Sequence, residues 1–245
     1  MARKTLYDII SENELSPNKA FSRLLYYYGR DTIIEDDWGY KQTFKDLIEQ
    51  YAFEVLPIRT TGQINLSDLM KDIGLDKLSG EKNFDDVFLF TEFILCCHDT
   101  LMNQVSFPYR YNNGLFRNLL SCIDGILDAT NHKIVKTPKG KIVIQADPAM
   151  EEAVEKVDDD LSVLLYKYKH YSNTFDDKKQ ILRSVLSTLA PEIQAAKKNS
   201  TKNRLTDVAN RIDDIANNFN IRHNNTAGKD KNDYASNLTE AEQAY

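Results

Sequence analysis

The polar run Asn217-Asn-Phe-Asn-Ile-Arg-His-Asn-Asn-Thr226, continued by Ala227-Gly-Lys-Asp-Lys231, gathers groups suited to work on a phosphodiester. Arg222 carries a permanent positive charge on a planar fork that matches phosphate oxygens. His223 exchanges protons near neutral pH. Asn220, Asn224 and Asn225 can hydrogen-bond phosphate or ribose, Lys229 adds a second cation, and Gly228 frees the backbone between them. Metal-independent cleavage of RNA needs such a set: a group to move protons at the 2′-hydroxyl and the leaving oxygen, and a cation for the charge that develops in between. The same residues also suit the end of a helix, where Arg and His offset the dipole and asparagines satisfy carbonyls.

The charge distribution favours an anion at this end of the chain. The protein has a formal net charge of −6, which argues against duplex binding over its whole surface. From Lys197 to Lys231, however, eight Lys and Arg face four Asp, a local excess of +4 against −10 for the remainder. Asp214, two helical turns before the loop, is placed to orient Arg222 or His223, or equally to pair with Arg211 on its own helix.

Other chemical templates are absent from the sequence. It contains no Gly-rich phosphate loop, no Gly-x-Ser-x-Gly elbow and no His-Glu-x-x-His helix. Cys96-Cys97-His98 lies on an apolar helix without the two-to-four-residue spacing of zinc pairs, and reads as buried small hydrophobes. Asp158-Asp-Asp160 reads as a solvated helix face rather than a metal site. No metal and no cofactor are expected.

Helices must position the loop. Ser16-Pro17 opens one that runs through Tyr28, and Thr43 caps another over 44–54. A shorter amphipathic stretch over 66–73 ends at Gly74. Broad apolar stripes over 84–103 (Val87, Phe90, Ile94, Cys97, Leu101) and 114–129 (Leu119, Ile123, Ile126) predict two buried helices. Further helices are predicted over 3–12, 148–170, 176–196 and 203–219, with Pro191 expected to kink or restart the third of these. In the last, Leu205, Val208, Ile212, Ile215 and Phe219 form a narrow stripe expected to face the core. One β-hairpin is predicted over 132–145, turning at Thr137-Pro-Lys-Gly140. Thr239-Glu-Ala-Glu242 is a capping box only three residues before Tyr245, which implies a terminal helix that is truncated or very short.

Hydrophobic residues make up 42% of the 245 and charged residues 28%, a globular composition. No apolar run approaches the roughly 18 residues of a membrane span, and nothing resembles a signal peptide, so no membrane association is expected. Three cysteines, two of them adjacent, make no disulfide framework and point to a reducing, cytoplasmic setting.

From about residue 80 to the end, the hairpin Lys133–Gln145, Asp176-Asp-Lys-Lys-Gln-Ile-Leu182 and Asn218-Phe-Asn-Ile-Arg-His-Asn-Asn225 together resemble HEPN-domain proteins of bacterial abortive-infection systems. The resemblance implies a mainly α fold, a HEPN-like helical bundle over 81–245 carrying the hairpin as an insertion. Residues 1–80 form an N-terminal helical region with no assigned role. It further implies an anti-phage defence effector, a toxin that dimerises and cleaves RNA by metal-independent transesterification. Arg222 and His223 would be catalytic, Asn220, Asn224, Asn225 and Lys229 would hold substrate, and Asp214 would support them. Family members separate Arg from His by four to six positions, whereas His223 directly follows Arg222. The alternative is a non-catalytic helical module that binds RNA or a protein of a defence complex.

Overall fold

A computed structural model of the chain describes residues 15–35, 39–75, 80–110, 112, 114–198 and 204–218. The chain divides into two compact units, Met1–Ala146 and Asp147–Tyr245. Helices on both sides of residue 80 therefore share the first unit. The fold is mainly α, as the periodicities predict, with two small antiparallel strand pairs among the described residues, of which the second is the expected hairpin. The expected helix over 3–12 and the capping box at Thr239 lie outside the described residues.

In the first unit, α1 (Pro17–Gly29) is capped by Ser16, whose hydroxyl accepts the Lys19 N–H, with Pro17 at the first position. A two-residue strand pair, β1 (Ile34–Glu35) and β2 (Lys41–Gln42), follows and was not foreseen from the sequence. Neither strand is long enough to show an alternating pattern. Thr43 and Asp46 then form a reciprocal capping box on α2 (Phe44–Tyr51), which gives way to a 3-10 turn over Phe53–Val55 instead of continuing to 54. Asn65 caps α3 (Leu66–Asp72), which Gly74 terminates at φ +83°, a conformation that suits glycine.

The central element is α4 (Phe84–Asn103), capped by Asn83 with Asp86. Val87, Phe90, Ile94, Cys97 and Leu101 on it are buried, matching the predicted stripe. It packs against α1, α2 and β4, while α5 (Arg117–Ala129) packs against α1 and β3. Aromatic rings concentrate at this junction: Phe21 stacks on Phe90 with centroids 5.0 Å apart, and Tyr28 meets Phe90 edge-on at 5.4 Å. Each fully buried ring removes enough apolar surface from water to contribute about 1.5–3 kcal/mol.

The hairpin is as predicted. Strands β3 (His132–Thr137) and β4 (Gly140–Gln145) pair in the register Ile134↔Val143, with Pro138 and Lys139 in the turn and Gly140 at φ +125°. The Thr137 hydroxyl donates to the Gly140 carbonyl and accepts the Lys139 N–H, which fastens the turn.

In the second unit, the single helix expected over 148–170 is two helices. Asp147 caps α6 (Pro148–Val154), and Asp158 starts α7 (Asp159–Tyr168) by accepting the Leu161 N–H at 2.8 Å. The apolar period runs through the break, but the Asp158 carboxylate offers the backbone a local partner that competes with a continuous helix. The three aspartates therefore cap a helix and complement its dipole. Helix α8 (Phe175–Lys198) continues through Pro191 without a restart.

The stripe of α9 (Arg204–Asn218) departs from expectation. Against α8 this helix buries Ala209, Asp213 and Ala216, spaced four and three residues apart. Leu205, Val208 and Ile215 are instead 65%, 48% and 46% exposed. Core packing does not explain them. Their periodicity predicted the helix and its apolar face, but the small side chains form the inward face because they allow close approach to α8.

Candidate functional site

The sequence-predicted site residues Asn220, Arg222, His223, Asn224, Asn225 and Lys229 lie outside the described residues. Asp214 is described, and it is exposed on α9. Its neighbour Asp213 is the inward carboxylate, paired with Lys197 near the end of α8. Nearby, the Thr206 hydroxyl donates to the Ala196 carbonyl at 3.1 Å. These contacts fix the start and middle of the helix that leads to the loop.

The first unit contains a cleft of about 520 Å³ that sequence reasoning missed. One face of α4 lines it, through Leu89, Glu92, Phe93, Cys96 and Thr100, at the three- and four-residue spacing that aligns side chains on a helix. The opposite wall comes from Val55 and Ile58 after α2 and from Ile73 after α3. The hairpin turn adds Lys139, Gly140 and Lys141 to its lining.

The acids of the cleft are engaged by the protein itself. The Glu92 carboxylate accepts the Val143 N–H at 2.6 Å, and Asp99 takes the Lys141 ammonium at 2.7 Å. His98 Nδ1 lies 3.3 Å from the same Asp99 oxygen, while its ring meets Phe116 edge-on with centroids 5.2 Å apart. Burial lowers the His98 pKa below its ordinary value; Asp99 opposes the shift. The ring is therefore neutral at pH 7.

This arrangement suits binding better than covalent chemistry. Burial, reinforced by the Asp99 charge, raises the Cys96 pKa, and burial raises that of Cys97 well above its usual range. A thiol so held is a poor nucleophile. Cys97 is buried as the sequence suggested, whereas Cys96 is half-buried on the cleft wall. Among the described residues no group of three His, Cys, Asp or Glu side chains is placed to hold a metal ion. His132 lies against Phe88 with the rings tilted and centroids 4.2 Å apart, its Nδ1 2.7 Å from the Thr130 carbonyl, and His170 contacts the Ser172 hydroxyl at 2.8 Å. Both are structural contacts.

Among the described residues no helix is long and apolar enough to cross a membrane. The chain matches no protein-family model, no curated protein and no solved structure.

Proposed function

We propose that residues 81–245 belong to a HEPN-like anti-phage defence effector, which self-associates through α9 and cleaves RNA at the Arg222–His223 loop without a metal. The observation that carries this reading is the outward apolar stripe of Leu205, Val208 and Ile215 on the helix that runs into that loop. Large apolar residues in a row on one helix face lose contact with water when a second such face covers them. A second copy of this chain is the occupant that also doubles the local +4 charge near the loop, supplying the field for RNA that one copy of an acidic protein lacks.

In this reading His223 takes the proton of a ribose 2′-hydroxyl. The resulting oxygen attacks the adjacent phosphorus as the 5′-oxygen leaves and takes a proton from solvent. The product strand ends in a 2′,3′-cyclic phosphate. Arg222 neutralises charge on the phosphoryl oxygens, while Asn220, Asn224, Asn225 and Lys229 hold the strand. Direct adjacency of His223 to Arg222 favours one second reading, a module that binds RNA or another protein of a defence complex without cutting.

Incubation with transfer RNA in EDTA tests the proposal. The wild-type chain is expected to leave cyclic-phosphate ends, and Arg222→Ala/His223→Ala is expected to leave the RNA intact. Equal cleavage by both proteins removes the loop from the mechanism. RNA binding without any cleavage selects the second reading. In sedimentation, Leu205→Asp/Val208→Asp is expected to dissociate the assembly, and an unchanged profile refutes the α9 contact.

A further inference from the structure

We infer that the cleft between α4 and the hairpin turn of the first unit binds a small amphipathic monocarboxylate, its apolar body along α4 and its carboxylate on Lys139. The cleft volume of about 520 Å³ falls within the range of small-molecule sites. Its walls expose more apolar than polar surface, and two of its apolar residues are unusual in their exposure. Val55 and Ile58 are 52% and 36% exposed although they line the same cleft as Leu89 and Phe93. A hydrocarbon body in this space would remove them from water.

The charges decide the polar end of the ligand. Asp99 is neutralised by Lys141, and Glu92 is held at the edge of β4 by the Val143 N–H. A cationic ligand would have to compete with both contacts. Lys139, on the turn at the mouth, forms no ion pair among the described residues and is exposed. Its position is set by the Thr137 hydroxyl, which accepts the Lys139 N–H, and by Gly140, whose φ of +125° turns the chain. A single ammonium is a point charge, suited to one carboxylate rather than to planar bidentate recognition. The neighbouring Asn103 amide and Thr100 hydroxyl border the same space. This site is independent of the Arg222–His223 reading.

The test uses the full chain with decanoate, decanol and decylamine as probes, followed by calorimetry and by alkylation of Cys96 with N-ethylmaleimide. Cys96 lines the cleft and Cys122 does not, so Cys122 serves as the internal reference. Decanoate is expected to bind more tightly than the other two and to slow alkylation of Cys96 while leaving Cys122 unchanged. Lys139→Ala, on an exposed turn, is expected to weaken decanoate about tenfold, as loss of one charge-assisted contact does, and to leave decanol unaffected. Cys96→Trp is expected to block all three probes. Equal affinity for the three, equal protection of both cysteines, or decanoate binding unaltered in Lys139→Ala overturns the proposal. So does binding only of a peptide with a free apolar C-terminus, which would make the cleft a peptide site. No RNA enters this experiment, so its failure leaves the RNA reading standing.

Discussion

The Glu92 carboxylate on α4 accepts the backbone N–H of Val143 on β4 at 2.6 Å, so a helix side chain occupies the edge position where a third strand would pair. Val143 itself is fully buried, and its unpaired N–H would otherwise be shielded from water. Through this contact the hairpin becomes part of the α4 core rather than an isolated ribbon, which would be marginal alone.

Removal of that acceptor carries a specific cost. Glu92→Ala is expected to lower stability by about 1–3 kcal/mol, because a buried donor is left without a partner. Glu92→Gln keeps an acceptor oxygen and is expected to lose less. Urea denaturation of the three proteins decides it, and equal midpoints for Ala and wild type would mean that Val143 finds another acceptor.

Acid should weaken the first unit through His98. In the unfolded chain this histidine protonates near its ordinary value of 6.5, whereas burial holds it lower in the folded protein. Between the two values the unfolded state binds more protons, so stability is full above about 6.5 and falls as pH drops through the folded-state value. Asp99 and Lys141 face the ring and act in opposite directions on it. Burial shifts His132 the same way. Melting temperatures of wild type and His98→Gln, compared between pH about 7.5 and about 5.5, should show a shallower decline in the variant, with His132 retaining the remainder. Identical slopes would contradict the assignment to His98.

Asp158 separates α6 from α7 by capping the second. Asp158→Ala is expected to cost about 1 kcal/mol, the usual loss for a helix N-cap, while Asp158→Asn retains most of the stability. Asp160→Ala, which removes only a first-turn charge, is expected to cost about 0.5 kcal/mol. Circular dichroism during urea titration measures the order, and a larger loss at Asp160 than at Asp158 would reverse the roles.

The sequence disclosed what is local. Ser16, Thr43 and the Thr137–Gly140 turn act within three or four residues, so their chemistry could be read directly. The break at Asp158 was hidden because Val154, Val157 and Leu161 maintain helical spacing across it. Periodicity showed that α9 has an apolar face but not whether another element covers it. The cleft was least legible, since Ile58, Ile73, Cys96 and Lys141 come from separate elements and become neighbours only through tertiary packing. The adjacent cysteines drew notice to that helix, but nothing marked Glu92, Asp99, Lys139 or Lys141 as neighbours.

The inward face of α9 also sets how the second unit breathes. Among the described residues, Ala209 and Ala216 offer α8 little dispersion surface, and the Lys197–Asp213 pair and the Thr206–Ala196 hydrogen bond add polar ties. Few buried apolar contacts mean a low free energy of local opening. Amide hydrogens of α9 are thus expected to exchange ahead of those in α7 and the middle of α8, and equal protection would show that α9 opens only with the unit as a whole. An assembly that covers the outward stripe would then convert a fraying helix into a slowly exchanging one.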